Sequence, residues 1–350
     1  MYYDSPMYVR MDVVCSATRR TRVSENQEVR EAGEPCAVGD VVVGRVASVG
    51  RHGVIETVQG LERPIGTGDC CCVVLGCRYS TAEFFADIPG RLSPGERLDL
   101  LNVGGIAGRV VPERSAVSNP TVLTYVGHAT DETGKKLSTF DSPIAPGPPD
   151  SKPAVILVVG SAMDSGKTTS AAFIIQMLAQ SGFKVGGAKL TGTSRMKDLF
   201  RMKTAGAAEV VDFLDAGWPS TCGLSSEDLE AIHRALVGEL AARGVDVIVT
   251  EAADGIFERE TEEILSSRRI MGDVTMTVAC ATDSVSAYGM ITYLERVHGI
   301  VPDFISGIIT SLPLFMEELS QRVTIPFFVD SESVRKRCRE LILGRSTGVR

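Results

Sequence analysis

Residues 155–185 read VILVVGSAMDSGKTTSAAFIIQMLAQSGFKV. An apolar run leads into a glycine-containing loop, and the loop leads into a segment with helical periodicity. Backbone N–H groups in such a loop attract an anion, and the dipole of the following helix adds to the attraction. Lys167 can reach the outer phosphates of a nucleotide, while the Thr168 hydroxyl can hold Mg²⁺. The stretch therefore predicts a phosphate-binding loop between a buried strand and a helix.

The loop has five residues between Gly160 and Gly166, where the usual phosphate loop has four. The alternative interpretation is a tight strand-to-helix turn with a solvated lysine. The predicted ligand is ATP with Mg²⁺, and GTP is less favoured because the sequence contains no Asn-Lys-x-Asp motif. The predicted nucleotide-binding residues are Gly160, Ser161, Asp164, Ser165, Gly166, Lys167, Thr168 and Thr169.

A proline-rich stretch, DSPIAPGPPDSKP, separates two parts of different composition. Before it, short apolar runs alternate with turn signals, a pattern typical of a small all-β domain. After it, apolar strands alternate with longer amphipathic segments, which predicts an α/β domain with a mostly parallel sheet and helices on both faces. The predicted organisation is an N-terminal arm (1–35), a small β-rich domain (36–140), a linker (141–153) and a phosphate-loop domain (154–350).

Composition excludes several classes of function. The net charge of −8 gives no global electrostatic basis for binding nucleic acid or an anionic membrane. No apolar stretch approaches the ~20 residues that span a bilayer, and the N-terminus lacks the pattern of a signal peptide. The nine cysteines are therefore expected to be reduced thiols in a cytoplasmic protein. Cys70, Cys71 and Cys72 are consecutive, so they point to alternate faces of a strand and are expected to be buried apolar residues rather than metal ligands.

Three short motifs resemble those of dethiobiotin synthetase. The loop from Gly160 to Thr168 has that family's five intervening residues, and Gly187-Ala188-Lys189-Leu190 follows with its lysine 22 residues after the loop lysine. Glu251-Ala252-Ala253-Asp254-Gly255 follows an apolar run, as the family's Mg²⁺-binding glutamate does. The resemblance covers roughly 154–330. It implies that Lys189 binds the substrate, that Glu251 ligates Mg²⁺ and that the protein is a homodimer.

Candidate roles follow from these motifs. Thr168 and Glu251 are the predicted metal ligands, with Asp198 or Asp212 as a second acid; Asp198 is favoured because it lies nearer the Thr-Gly-Thr-Ser loop. Either aspartate could instead be a carboxylate on a helix surface. The predicted catalytic residues are Lys167, Lys189 and Glu251. The predicted substrate-binding residues are Thr191, Thr193, Ser194, Arg195 and Asp254.

The sequence departs from the family at specific places. Ala162 stands at a loop position where the family has Asp, and Ser306–Ser311 replaces the segment that carries the family's base-reading Asn. We therefore expect an ATP- and Mg-dependent enzyme that activates a small carboxylate, carbamate or amine by phosphoryl transfer, ligase- or cyclo-ligase-like, but outside biotin synthesis. The alternative is a nucleotide-switch ATPase or GTPase that acts on a protein partner.

Overall fold

A computed structural model describes residues 7–31, 35–144 and 153–346. The chain divides into two units. The first contains the described residues up to Ile144 together with two later segments, Thr193–Lys197 and Phe213–Cys222. The second contains the other described residues. Most of the predicted linker, from 145 to 152, lies outside the described residues, and the predicted domain boundaries stay predictions.

The first unit is built from β-strands. Its described strands are β1 (Met7–Arg10), β2 (Val13–Val14), β3 (Asn26–Arg30), β4 (Val41–Ser48), β5 (Val54–Glu56), β6 (Glu62–Pro64), β7 (Cys70–Leu75), β8 (Arg78–Tyr79), β9 (Phe85–Asp87), β10 (Arg97–Leu100), β11 (Ile106–Val110) and β12 (Thr121–Ala129). Short 3₁₀ turns lie at Ser16–Thr18, Pro112–Arg114 and Thr139–Asp141. β5 and β6 pair as a separate hairpin, and the other strands form one sheet in which β7 pairs with β4, β11 and β2.

The three consecutive cysteines begin β7, whose residues are all buried. The expectation of a buried apolar strand is therefore confirmed for this segment. Within the described part of the chain, no group of three or more His, Cys, Asp or Glu side chains is arranged to hold a metal ion.

The second unit is an α/β domain, as the alternation of strands and helices predicts. Its described strands are β13 (Ala154–Gly160), β14 (Val185–Lys189), β15 (Glu209–Asp212), β16 (Val247–Glu251), β17 (Val274–Cys280) and β18 (Phe304–Ser306). Its described helices are α1 (Lys167–Gln180), α2 (Lys197–Thr204), α3 (Ser226–Ala242), α4 (Arg259–Ser266), α5 (Arg268–Asp273), α6 (Ser284–Tyr293), α7 (Pro313–Ser320) and α8 (Glu332–Ser346), with a π turn at Leu294–His298 and a 3₁₀ turn at Ile308–Ser311.

The strands of this unit form a parallel sheet in the order β15-β14-β16-β13-β17-β18. Two adjacent glycines of β14 show how helices cover it. A Cβ on Gly186 would lie 3.2 Å from Leu240 of α3, and one on Gly187 would lie 3.0 Å from Met202 of α2. Because successive residues of a strand face opposite sides, α2 and α3 lie on opposite faces of the sheet.

Among the described residues, no helix is both long and apolar enough to cross a membrane.

Candidate phosphate-binding site

The site lies at the carboxyl edge of the parallel sheet, where ligands of such sheets bind. β16 lies between β14 and β13. In this register Glu251 pairs with Lys189 on one side and with Val158 on the other. The loop after β13 therefore begins beside the strand that ends in the predicted metal ligand.

The phosphate loop requires glycine at both ends. A Cβ on Gly160 would lie 2.2 Å from Ser165 Oγ, and one on Gly166 would lie 3.0 Å from the Cα of Gly307. Gly166 also has a φ of +93°, in the region that favours glycine. Asp164 has a φ of +60°, and it is the one non-glycine residue with positive φ in the described chain. The loop backbone is thus bent tightly around Ser165 and Lys167.

The loop lysine is buried although it carries an ammonium group. Lys167 is 6% exposed. Its Nζ donates to the carbonyl oxygen of Ala162 at 2.9 Å and to that of Asp254. Burial lowers the pKa of Lys167, and the nearby carboxylates of Glu251 and Asp254 oppose that shift. A buried cation held on neutral carbonyls is suited to receive an anion.

Glu251 combines a paired and an unpaired oxygen. The Thr168 hydroxyl donates to its Oε1 at 2.9 Å. Its Oε2 is buried and has no hydrogen-bond partner among the described residues. Burial raises the pKa of Glu251, against the opposing effect of the Lys189 charge. An unpaired carboxylate oxygen beside a threonine hydroxyl fits Mg²⁺, which prefers oxygen ligands.

Lys189 is already neutralised by carboxylates. Its Nζ forms an ion pair with Asp198, and its side chain is 12% exposed. Burial opposes the charge on this lysine, but Glu251 and Asp198 outweigh burial, so the pKa of Lys189 is raised. Asp198 belongs to the first turn of α2, and the ion pair joins this helix to the end of β14.

A cavity of about 370 Å³ gathers most of the predicted residues. Asp198 lines it, whereas Asp212 is not among its lining residues. Four lining residues were outside the predicted set, namely Met163, Arg201, Ala253 and Ile308, and the predicted Gly160, Ser161 and Ser165 do not line the cavity. Spacing on one helix face links Arg201 to Asp198, but no sequence signal identifies Ile308. The lining residues are Met163, Asp164, Gly166, Lys167, Thr168, Thr169, Lys189, Asp198, Arg201, Glu251, Ala253, Asp254 and Ile308.

Four of the predicted substrate-binding residues do not line this cavity. The Thr191 hydroxyl donates to the Ala253 carbonyl at 2.9 Å and accepts from the Ala253 N–H at 2.8 Å. Thr193, Ser194 and Arg195 belong to the first unit. The hydroxyl of Thr191 therefore ties the ends of β14 and β16 together.

Comparisons with known proteins give a limited result. No protein-family model matches the sequence, and no curated protein is detectably similar to it. Among solved structures, the signal recognition particle receptor FtsY from Elizabethkingia anophelis in complex with GDP is 15% identical, with a TM-score of 0.36 over 54% of this chain and 60% of that chain. The signal recognition particle 54 kDa protein from Aeropyrum pernix K1 in complex with GDP is 18% identical, with a TM-score of 0.36 over 59% of this chain and 50% of that chain.

The kinase domain of the Escherichia coli tyrosine kinase ETK is 15% identical, with a TM-score of 0.33 over 45% of this chain and 69% of that chain. The present chain thus spans about half to three fifths of the first two structures. Similarity at this level carries no functional argument. The strand, glycine loop and helix in a parallel sheet identify a P-loop fold on their own, while the resemblance to dethiobiotin synthetase rests on its three motifs.

Proposed function

We propose that the second unit binds a magnesium nucleoside triphosphate at the 160–168 loop and hydrolyses it, and that the protein works as a nucleotide-dependent switch. The observation that carries the proposal is a set of buried polar atoms around the loop. Ser161 Oγ, Ser165 Oγ and Glu251 Oε2 have no hydrogen-bond partner in the described part of the chain. Each such atom costs about 1–3 kcal/mol. Of the three residues, Glu251 lines the phosphate cavity together with Lys167 and Thr168, so a bound metal ion would offset the cost of its free oxygen, which a simple strand-to-helix turn does not.

The chain's own residues have distinct roles in this proposal. Lys167 holds the outer phosphates, and the loop N–H groups and the start of α1 orient them. Thr168, Glu251 and the Asp198 oxygen that is not paired with Lys189 would hold Mg²⁺, which when bound neutralises phosphate charge. Hydrolysis then depends on positioning and charge neutralisation in a partly enclosed cavity.

A switch is favoured over activation of a small acid or amine. Lys189, the substrate lysine implied by the resemblance, is neutralised by Asp198 and Glu251. The hydroxyl of Thr191 is committed to the backbone of Ala253. Thr193, Ser194 and Arg195 belong to the first unit, and Arg201, which lines the cavity, already donates to Thr169. The phosphate cavity therefore presents few groups to a second small substrate.

The path of the chain provides a means of switching. It leaves the second unit after Gly192 and re-enters at Asp198. Within the first unit, Glu56 Oε1 accepts from the Met196 N–H at 2.8 Å, and Arg195 donates to Glu62 at 2.6 Å. Since Lys197 is bonded directly to Asp198, a movement of Asp198 on nucleotide binding must be transmitted to this segment or absorbed next to it.

We propose ATP and GTP equally as the bound nucleotide. Ile308, which lies against the loop through its N–H bond to the Ser165 carbonyl at 3.2 Å, is apolar and cannot select a purine edge by hydrogen bonding. The homodimer implied by the resemblance also stays a prediction.

The binding test compares two lysine substitutions in the same unit. We expect Lys167→Met to weaken the binding of Mg-ATP and Mg-GTP at least about tenfold, because it removes a charge-assisted contact. Lys184→Met removes an exposed lysine that lies outside the cavity and should leave affinity unchanged. Equal affinities of the two variants, measured by calorimetry, would overturn the site assignment.

The turnover test separates the switch from the small-molecule enzyme. Phosphate release is measured with each nucleotide alone and with a panel of small carboxylic acids and amines. A switch hydrolyses the nucleotide slowly without any addition, and hydrogen exchange in 193–197 changes with the nucleotide in wild type but not in Lys167→Met. Turnover that requires one acid or amine, with unchanged exchange in 193–197, would instead establish the enzyme.

A further inference from the structure

The first unit contains a second cavity, of about 560 Å³. Its walls come from the segment 10–14, the stretch 18–25, the turn of the β5–β6 hairpin at 57–59 and Arg63 of β6. Both this hairpin and β1 stand outside the central strands of the sheet. The volume lies within the ~300–1,000 Å³ typical of small-molecule sites.

Two guanidinium groups at this cavity have no protein partner among the described residues. Arg10 and Arg63 line it, and neither is joined to a protein acceptor by a hydrogen bond or ion pair within the described ranges. A third arginine, Arg19, lies at the cavity and pairs with Asp215 at 3.4 Å. Arginine presents a planar fork of donors that matches a carboxylate or phosphate in a bidentate manner.

The cavity has fewer acidic than basic side chains, and one of the acidic side chains already accepts a hydrogen bond. Asp12 and Glu25 also line the cavity. Asp12 Oδ2 accepts a hydrogen bond from the Cys70 N–H at 2.9 Å, so it is committed to β7. The buried Oγ1 of Thr57, another lining residue, has no hydrogen-bond partner in the described chain. The cavity thus holds more free donors than free acceptors.

Part of the lining is apolar, including Val14, Val23 and Val58. A ligand that satisfies both kinds of surface has an anionic head and an apolar body. We propose that this cavity binds a small organic anion, whose carboxylate or phosphate head is held by Arg10 and Arg63 and whose body lies against the valines. This site is separate from the phosphate cavity of the second unit, and it does not depend on the function proposed there.

The test uses the full-length protein and three probes of similar size. Phenyl phosphate and benzoate carry an anionic head on the same ring, and phenol is their neutral counterpart. We expect calorimetry to detect binding of at least one anion and no binding of phenol. The two anions distinguish a phosphate head from a carboxylate head.

Substitutions that remove positive charge and one that removes negative charge test whether the anion binds in this cavity. Arg10→Gln with Arg63→Gln should weaken anion binding at least about tenfold, since each lost charged hydrogen bond is worth about that factor. Glu25→Gln removes a negative charge from the same lining and should tighten binding. Arg22→Gln is the matched control, because Arg22 is exposed in the same unit but does not line the cavity.

The Lys167→Met variant excludes the phosphate loop as the source of the signal, because binding at the first unit should survive it. Several results would overturn the proposal: no anion binds, phenol binds as tightly as the anions, the double arginine variant binds like wild type, or binding disappears in Lys167→Met alone.

Discussion

Gly307 follows β18 and supports the phosphate loop from outside. Its φ is +96° and its ψ is −159°, a conformation open almost solely to glycine. A Cβ there would lie 2.4 Å from the Ser165 carbonyl oxygen and 2.8 Å from the backbone N and O of Ala281. All of these neighbours are backbone atoms, so they cannot move aside by a change of rotamer. The substitution Gly307→Ala should therefore displace the loop itself.

The loss of stability expected for Gly307→Ala has two parts, the disfavoured backbone conformation and the displacement of the neighbouring backbone. The disfavoured backbone conformation costs about 1–3 kcal/mol, and the forced displacement of packed backbone adds about 1–3 kcal/mol. The expected loss is roughly 4 kcal/mol, or about 8–16 °C in the unfolding temperature for a unit of this size. Gly299→Ala is the matched control. Gly299 has a φ of +67°, and nothing lies within 4 Å of the added Cβ, so its cost is limited to about 1–2 kcal/mol.

Thermal unfolding and nucleotide titration together form the assay. Gly307→Ala should unfold well below Gly299→Ala, and its affinity for Mg-ATP or Mg-GTP should fall at least about tenfold because Ser165 is displaced. The reasoning is refuted if the two variants unfold together and bind nucleotide equally, since Gly307 would then give the loop no support.

Three further outcomes are expected. Arg201→Ala should weaken nucleotide binding about tenfold, because Arg201 lines the cavity and its Nη2 donates to Thr169 Oγ1 at 2.9 Å. Arg195→Ala should leave nucleotide affinity unchanged. Equal effects of the two substitutions would contradict the placement of Arg201 at the nucleotide site. Burial raises the pKa of the Cys15 thiol to about 12, so the folded protein keeps a proton that the unfolded chain releases above about pH 9. The free energy of unfolding therefore falls as pH rises above 9. In urea titrations between pH 9 and 11, Cys15→Ala should reduce the slope of that fall by up to ~1.4 kcal/mol per pH unit. A thiol reagent at pH 8 should label the three partly exposed thiols of the native protein, Cys36, Cys77 and Cys222, and all nine thiols in denaturant. Rapid labelling of more than three thiols in the native protein would contradict the burial of the other six.

The parallel domain was predictable because its signals are local. The strand β13 and the helices α1 and α3 each follow from an apolar run or a helical period within one segment. The apolar run IPFFV at 325–329 has the same strand-like composition, but there the structure has only an isolated bridge between Phe327 and Ile305. A short apolar run packs well in several conformations, so pairing depends on neighbours that the local pattern does not describe.

Strand β3 of the first unit could not be predicted from a local sequence pattern. β3 reads NQEVR and pairs with β1 and with β12, although this stretch belongs to the predicted N-terminal arm (1–35). β3 lies between β1 and β12, and its run of amide and acidic side chains lacks the alternation of apolar and polar residues that indicates a strand. Its pairing is therefore poorly encoded in local hydrophobicity.

The candidate site divides along the same line. The loop, Lys189 and Glu251 could be predicted because the loop follows β13 and the two residues end β14 and β16, and parallel strands bring their carboxyl ends to one edge. Arg195 lies only six residues after Lys189, yet its partner is Glu62, which is distant in sequence. No local pattern reports such a contact, so a strand-end arginine was assigned to the substrate by position alone.

Features that break local rules are concentrated at the phosphate loop. Asp164 has a left-handed backbone conformation, Lys167 is a buried cation held on carbonyl oxygens, and Glu251 keeps a buried oxygen unpaired. Each of these lowers the stability of the free protein by an amount on the order of 1–3 kcal/mol. Natural sequences keep such costs mainly where function requires them. Because the costs fall on groups that point at one cavity, a single anion with its metal ion can offset several of them at once. Nucleotide binding should for that reason stabilise the second unit strongly.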